Sequence, residues 1–232
     1  MENLQKFAVP ISIVVAGAII GAAVIFALKP NVGGSQTGGN QPGQPAVNVK
    51  DVKITATDPI IGKTGAPVTL VYWFDYQCPF CKQFEEVTLP TLLDKYVKTG
   101  KLKIVMKDFP FLGNDSTTAA EYAHAVWETY PDKYEAWHEA MFKAQDAEGD
   151  QGFGNEASIL KLIGTIPGMD ANKLKAQVAQ KKKEYDAIAT AGQQEGVKFG
   201  VEGTPGFVTG KTSIAGAQPT NVFTAAIDAQ LK

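Results

Sequence analysis

Val68-Thr69-Leu70-Val71-Tyr72-Trp73-Phe74 runs directly into Asp75-Tyr76-Gln77-Cys78-Pro79-Phe80-Cys81, and the reading of this stretch decides the fold. The first half is rich in β-branched and aromatic side chains and nearly all apolar, which predicts a strand buried on both faces. The second half carries two cysteines and opens a helical pattern, with Cys81, Phe84, Leu89, Leu92, Leu93 and Tyr96 on or near one face. Pro90 lies inside that pattern and predicts a kink. Gly100 ends it, and Lys101 to Phe109 reads as a second strand. Strand, helix and strand form one βαβ unit, which favours a parallel pair and a right-handed crossover.

Helices follow on the C-terminal side. One starts at Asp115 or Ser116 and carries Tyr122, Val126 and Trp127. Another has Pro131 in its first turn and carries Tyr134, Trp137, Met141 and Phe142. Asn155 to Ile163 is short, and Asp170 caps a longer run to about Glu195, with a break near Lys183 as one reading. Then Phe207-Val208-Thr209 and Thr212-Ser213-Ile214 flank Gly210-Lys211, a two-residue hairpin turn. A final amphipathic helix spans Pro219 to Leu231. The expectation is an α/β domain over residues 50–232, in the order βαβ, a helical insert at about 113–196, then ββα.

On the N-terminal side, Ala8 to Leu28 holds 21 positions without a charge. As a helix they reach about 32 Å, the hydrocarbon thickness of a bilayer. Residues 1–29 therefore read as a transmembrane signal-anchor. The competing reading is a cleaved signal peptide, but the apolar stretch is long for one and Phe26-Ala27-Leu28-Lys29-Pro30 is a poor cleavage site. Residues 30–49 contain Gly, Gln, Asn and Pro with little to bury and read as a flexible linker. Lys6 and Lys29 flank the span too evenly to fix its orientation.

Composition narrows the function. The chain has 232 residues, 44% hydrophobic and 20% charged, with a net charge of −2, too balanced for a nucleic-acid footprint. All 22 basic residues are Lys, so the bidentate fork favoured for phosphate and guanine is absent. Two cysteines cannot make a disulfide-dense scaffold or supply four ligands to a structural zinc.

The cysteines carry the chemistry. Their two-residue gap lets the thiols close a small ring where a helix begins, and Pro79 suits the first helical turn. Cys78 then faces unpaired backbone N–H groups and the positive end of the helix dipole, both of which stabilise a thiolate. A thiol with pKa ~8.5 is only a few per cent ionised at neutral pH; a drop of two or three units makes it mostly thiolate, worth roughly 3–4 kcal/mol. Because this favours the reduced form, it makes the disulfide a better oxidant. Cys81 lies one turn along on the inward side and suits a resolving thiol. Metal ligation and a structural disulfide are the bland readings of the motif, and the strand–helix junction argues against them. A second signal is Gly203-Thr204-Pro205-Gly206-Phe207: a Pro at a strand start belongs at an edge or in a special turn, and a cis Thr204–Pro205 bond there is a built feature.

Asp75-Tyr76-Gln77-Cys78-Pro79-Phe80-Cys81-Lys82 together with Thr204-Pro205-Gly206-Phe207 resembles the DsbA-like thiol–disulfide oxidoreductases of the thioredoxin superfamily. Asp58-Pro59-Ile60-Ile61-Gly62 through Pro67-Val68-Thr69 is similar to the lead-in of its membrane-anchored members. The resemblance implies a thioredoxin-like fold, with Cys78 as nucleophile, Cys81 as resolving cysteine, and a cis-Pro205 that shapes a substrate groove with Thr204, Pro79 and Phe80. It implies no cofactor and no metal. It also implies reduced or unfolded exported proteins as substrates, a membrane redox partner that reoxidises the pair, and a catalytic domain on the extracytoplasmic face of the membrane. Oxidase is favoured over reductase or isomerase. A redox-inert binding module with a structural or metal-binding cysteine pair is the alternative from another class.

Two residues depart from the family pattern. The strongest oxidants place His between the cysteines where this chain has Phe80, so a milder thiol shift is expected. Thioredoxin-like proteins often bury an acid six residues before the first cysteine, and here that position is Tyr72, which cannot shuttle protons at neutral pH. Asp75 is the nearest carboxylate and a candidate proton relay, with a solvated or capping role as the rival. His124 and His138 read as insert packing or surface rather than zinc ligands, and Lys181-Lys182-Lys183 as a solvated face. Asn114-Asp115-Ser116 reads as a helix cap although it fits a glycosylation sequon. Gly62-Lys63-Thr64 and Gly210-Lys211-Thr212 lack the upstream Gly of a phosphate-binding loop.

Overall fold

Alternation along β2 (Val68–Phe74) divides the core in two. Leu70, Tyr72 and Phe74 point into a large cluster with Phe84, Ile104, Met106, Phe207 and Phe223. Val71 and Trp73 point the other way, into a smaller cluster with Val47, Val52, Val105, Phe109, Val201 and Val208. The computed structural model describes residues 46–146, 150 and 152–232, all within one compact unit. The anchor expected at 1–29 and all but the end of the linker expected at 30–49 lie outside the described residues. Among the described residues, no helix is long and apolar enough to cross a membrane. Packing begins slightly before the expected domain start: Val47 is buried, and Val49 N–H donates to the Gly210 carbonyl at 2.7 Å.

The sheet order is β1–β3–β2–β4–β5, from β1 (Ile60–Ile61), β2, β3 (Leu102–Asp108), β4 (Gly206–Thr209) and β5 (Thr212–Ala215). β2 and β3 are parallel, as the βαβ reading requires, and the other pairs are antiparallel. Thr209 pairs with Thr212 across Gly210-Lys211, the expected hairpin. The crossover is α1 (Pro79–Val87), then α2 (Leu89–Leu92) and a π-turn at Leu93–Val97. The break at Thr88 precedes Pro90, whose missing N–H and ring prevent a continuous helix.

The insert is α3 (Asn114–Thr129), α4 (Tyr134–Ala144), α5 (Glu156–Ile163) and most of α6 (Ala171–Lys198). Gly113, with φ 112°, occupies the cap of α3, so Asn114-Asp115-Ser116 is its first turn and not its cap. The break considered near Lys183 is absent, and α6 runs unbroken for 28 residues. Its Ala-, Lys-, Gln- and Glu-rich sequence favours this, and two different contacts hold it. Leu174, Val178 and Tyr185 pack in the insert core, while Gly192 and Gly196 lie against the sheet. A Cβ at Gly192 would stand 2.9 Å from the Asp108 carbonyl oxygen, and one at Gly196 2.9 Å from the Trp73 ring. The chain closes with α7 (Thr220–Asp228), whose Phe223 and Ile227 cover the large cluster.

Candidate active site

The strand-to-helix junction places Cys78 at the N-cap of α1, with Pro79 in the first turn. Cys78 N–H donates to the Asp75 carbonyl at 3.1 Å, and the Cys78 carbonyl accepts from Cys81 N–H at 3.1 Å and Lys82 N–H at 3.2 Å. The Thr204–Pro205 bond is cis. It brings the Thr204 carbonyl 3.3 Å from Cys78 Sγ, which donates to it. The structure thus brings together Cys78, Cys81, Thr204 and Pro205, which sequence reading had singled out separately. Cys78 is 3% exposed and Cys81 0%, while Phe80 is 60% exposed and forms the outer rim with Pro79.

The two thiols are free and their environments drive them apart. The Cys78 thiol is lowered from 9.0 to about 6. The Cys81 thiol beside it is the largest cause; burial opposes the shift, and Thr204 and the N–H groups of Cys81 and Phe80 add to it. The helix terminus therefore contributes, as its sequence position implied, but the partner sulfur contributes more. No full-geometry cap hydrogen bond is made to the Cys78 side chain. Burial pushes the Cys81 thiol well up, and the neighbouring Cys78 reinforces that.

Asp75 is buried, not solvated. Its carboxylate accepts from the backbone N–H groups of Gln77 at 2.8 Å, Phe111 at 2.9 Å and Leu112 at 3.2 Å. Burial raises its pKa, and these donors hold the rise in check. The contacts clamp the cysteine loop to the segment entering the insert.

Two groups important for the loop were not legible in the sequence. Gln145, at the C-cap of α4, donates from Nε2 to the carbonyls of Tyr76 at 2.6 Å and Cys78 at 3.1 Å. Its own carbonyl accepts from Lys82 Nζ at 2.8 Å. His138 joins Glu85 of α1, 3.0 Å from Nε2, to the Tyr76 hydroxyl, 2.8 Å from Nδ1. His124 likewise meets Asp108 at 2.6 Å. Burial alone would lower the His124 pKa, but Asp108 and Asp58 more than offset it, and the net direction is up. Each histidine thus pairs with a carboxylate, and among the described residues no cluster of three or more His, Cys, Asp or Glu side chains is arranged to hold a metal ion. Lys181, Lys182 and Lys183 lie on a solvent-facing side of α6, and Lys181 and Lys182 also pair with Glu128 and Glu121.

A family model described as Thioredoxin matches residues 54–229. A probable disulfide bond formation protein D of Bacillus anthracis is 26% identical over 150 residues, covering 65% of this chain and 68% of that protein. The disulfide bond formation protein D of Bacillus subtilis is 28% identical over 151 residues, covering 63% and 65%. Among solved structures, oxidised BdbD from Bacillus subtilis superposes with a TM-score of 0.70 at 23% identity, over 81% of this chain and 97% of that one, a likeness of fold. The thiol-disulfide exchange protein α-DsbA2 from Wolbachia pipientis superposes with a TM-score of 0.64 at 26% identity, over 75% and 87%.

Proposed function

The chain belongs to the thioredoxin family, as one of its DsbA-like thiol–disulfide oxidoreductases, and we propose that it forms or exchanges disulfides in exported proteins through Cys78 and Cys81. The observation that carries this is the split between the sulfurs: one lowered to about 6 at a helix start beside cis-Pro205, the other sealed behind it. A substrate thiolate attacks Cys78 Sγ, the Cys78–Cys81 bond breaks, and Cys81 receives the electron pair and a proton. The substrate's second thiolate then attacks its own sulfur in the mixed disulfide and releases Cys78 as thiolate. Two electrons pass from substrate to enzyme, and a membrane redox partner withdraws them. Thr204, Pro205, Pro79 and Phe80 form the substrate-contacting rim.

The direction we favour is oxidation. At pH 7, lowering the thiol from 9.0 to about 6 stabilises the reduced form by roughly 1.4 kcal/mol, making the pair about 30 mV more oxidising than an unperturbed one. The relatives named for disulfide bond formation support the same direction. The apolar stretch Ala8 to Leu28 supports a membrane tether, and disulfide formation in exported proteins calls for the catalytic domain on the outer, oxidising face. Asp75 serves in this scheme as the clamp of the cysteine loop; a relay role would need a path from its carboxylate to Cys81 beyond its backbone partners.

Equilibration of the pair with glutathione tests the direction: a potential nearer −120 mV than about −270 mV supports an oxidase, and the reverse overturns it. Cys81→Ser should trap a mixed disulfide with reduced substrate. A Cys78 midpoint at or above about 8.5 with no thiol exchange would mark a redox-inert binding module instead.

A further inference from the structure

Tyr72 belongs to the sheet by its backbone and to the sulfur pair by its hydroxyl. It lies in the middle of β2 with no exposed surface. Its ring is held by Phe207, Phe84 and Phe74, at centroid distances of 4.7, 4.9 and 5.0 Å. The clamped ring fixes where the hydroxyl points. That oxygen is buried and makes no hydrogen bond among the described residues; Cys81 shares its buried cluster and, after burial itself, is the first group that pushes the phenol up.

Disulfide exchange puts charge on that sealed sulfur. When an external thiolate bonds to Cys78 Sγ, the Sγ–Sγ bond breaks and its electron pair leaves on Cys81, which then takes a proton from solvent. In reverse, Cys81 loses its proton, attacks Cys78 Sγ of a mixed disulfide, and expels a thiolate that takes up a proton. In both directions negative charge develops on a sulfur with no exposed surface, where an isolated charge is costly.

We propose that Tyr72 is a catalytic residue of this exchange: its O–H donates a hydrogen bond to the Cys81 sulfur as charge develops there. The inference rests on the disulfide-exchange reading above. Tyr72 does not take the proton, because burial holds its own phenol protonated well above the usual range. A donor without a partner of good geometry in the resting state gains its interaction as the sulfur charges, so it favours the transition state over the ground state. A phenylalanine would fill the same aromatic stack without leaving a buried hydroxyl unpaired.

Tyr72→Phe tests this. Oxidised protein is mixed with excess reduced glutathione, and opening of the disulfide is followed by acid quench. Loss of a preorganised donor should slow opening about tenfold, below the usual 10²–10³ because sulfur accepts weakly. The alkylation midpoint of Cys78 in reduced protein should stay unchanged, and the Tm should not fall, because the variant removes an unpaired buried hydroxyl. In a Cys81→Ser background, release of glutathione from a Cys78–glutathione adduct should proceed equally fast with Tyr or Phe at position 72, since Cys81 is no longer the leaving group. Equal opening rates for wild type and Tyr72→Phe would overturn the proposal, as would equal slowing in the Cys81→Ser background or a shifted Cys78 midpoint. A wild-type protein inert to glutathione would instead overturn the disulfide-exchange reading itself.

Discussion

At the seam between the thioredoxin body and its insert, buried ionisable side chains come in pairs: His138 with Glu85, His124 with Asp108, and Lys107 with both Asp58 at 2.9 Å and Glu195 at 3.1 Å. At the sulfur pair the buried hydroxyls of Tyr72 and Thr204 have no nitrogen or oxygen partner among the described residues. An unpaired buried hydroxyl costs about 1–3 kcal/mol. The contrast separates two uses of buried polarity. At the seam, the ionisable side chains are paired at rest and fix the insert on the body. Around the sulfurs, donors stand next to atoms whose charge changes as the pair is reduced and reoxidised.

The largest effect should come from breaking a seam pair. Glu85→Leu strands the buried Nε2 of His138 and should cost about 3–5 kcal/mol in urea unfolding, as removal of one partner from a buried pair does. The double variant Glu85→Leu with His138→Phe should recover part of that loss, and a fully additive result would show that the pair does not act as a unit.

Next in size is a pH dependence confined to the reduced protein. The Cys78 pKa is depressed by folding, so its contribution is fully present above the unfolded value of about 9 and is lost as pH falls through about 6. Between pH 7 and pH 5 the stability of reduced protein relative to Cys78→Ala should fall by roughly 1.4 kcal/mol. A flat difference over that window would contradict the lowered thiol. The smallest effect is at the rim. Phe80→His adds a cation-capable donor beside Cys78 and should lower the alkylation midpoint by about one unit, raising the potential by about 30 mV at pH 7. An unchanged midpoint would mean that the exposed side chain at position 80 is screened from the sulfur.

The legible parts of the molecule are those written in short-range pattern. β2, the kink at Pro90, the parallel β2–β3 pair, the Gly210-Lys211 hairpin and the Thr204–Pro205 turn all follow from periodicity or from Pro and Gly within a few residues. The illegible parts depend on residues far apart in the chain. Gln145 reaches carbonyls 69 and 67 positions earlier, and His138 pairs with Glu85 across 53. Asp75 finds two of its three donors 36 and 37 positions later. Nothing local marks these residues, because each is an ordinary polar side chain until the insert docks. The continuity of α6 is the same kind of case, since its far end is held by the sheet and not by its own sequence.

By itself the sequence determined a strand running into a helix that begins at a cysteine, with a second cysteine one turn on. Those features depend only on side-chain periodicity and on the geometry of a helix start. Only the tertiary structure decided how differently the two sulfurs behave. Cys78 lies beside the Thr204 carbonyl with its thiol lowered to about 6, while Cys81, three residues away, is held neutral by complete burial. Acidity is set by solvation and by the atoms within a few ångströms of the sulfur, and those atoms arrive only when distant segments pack.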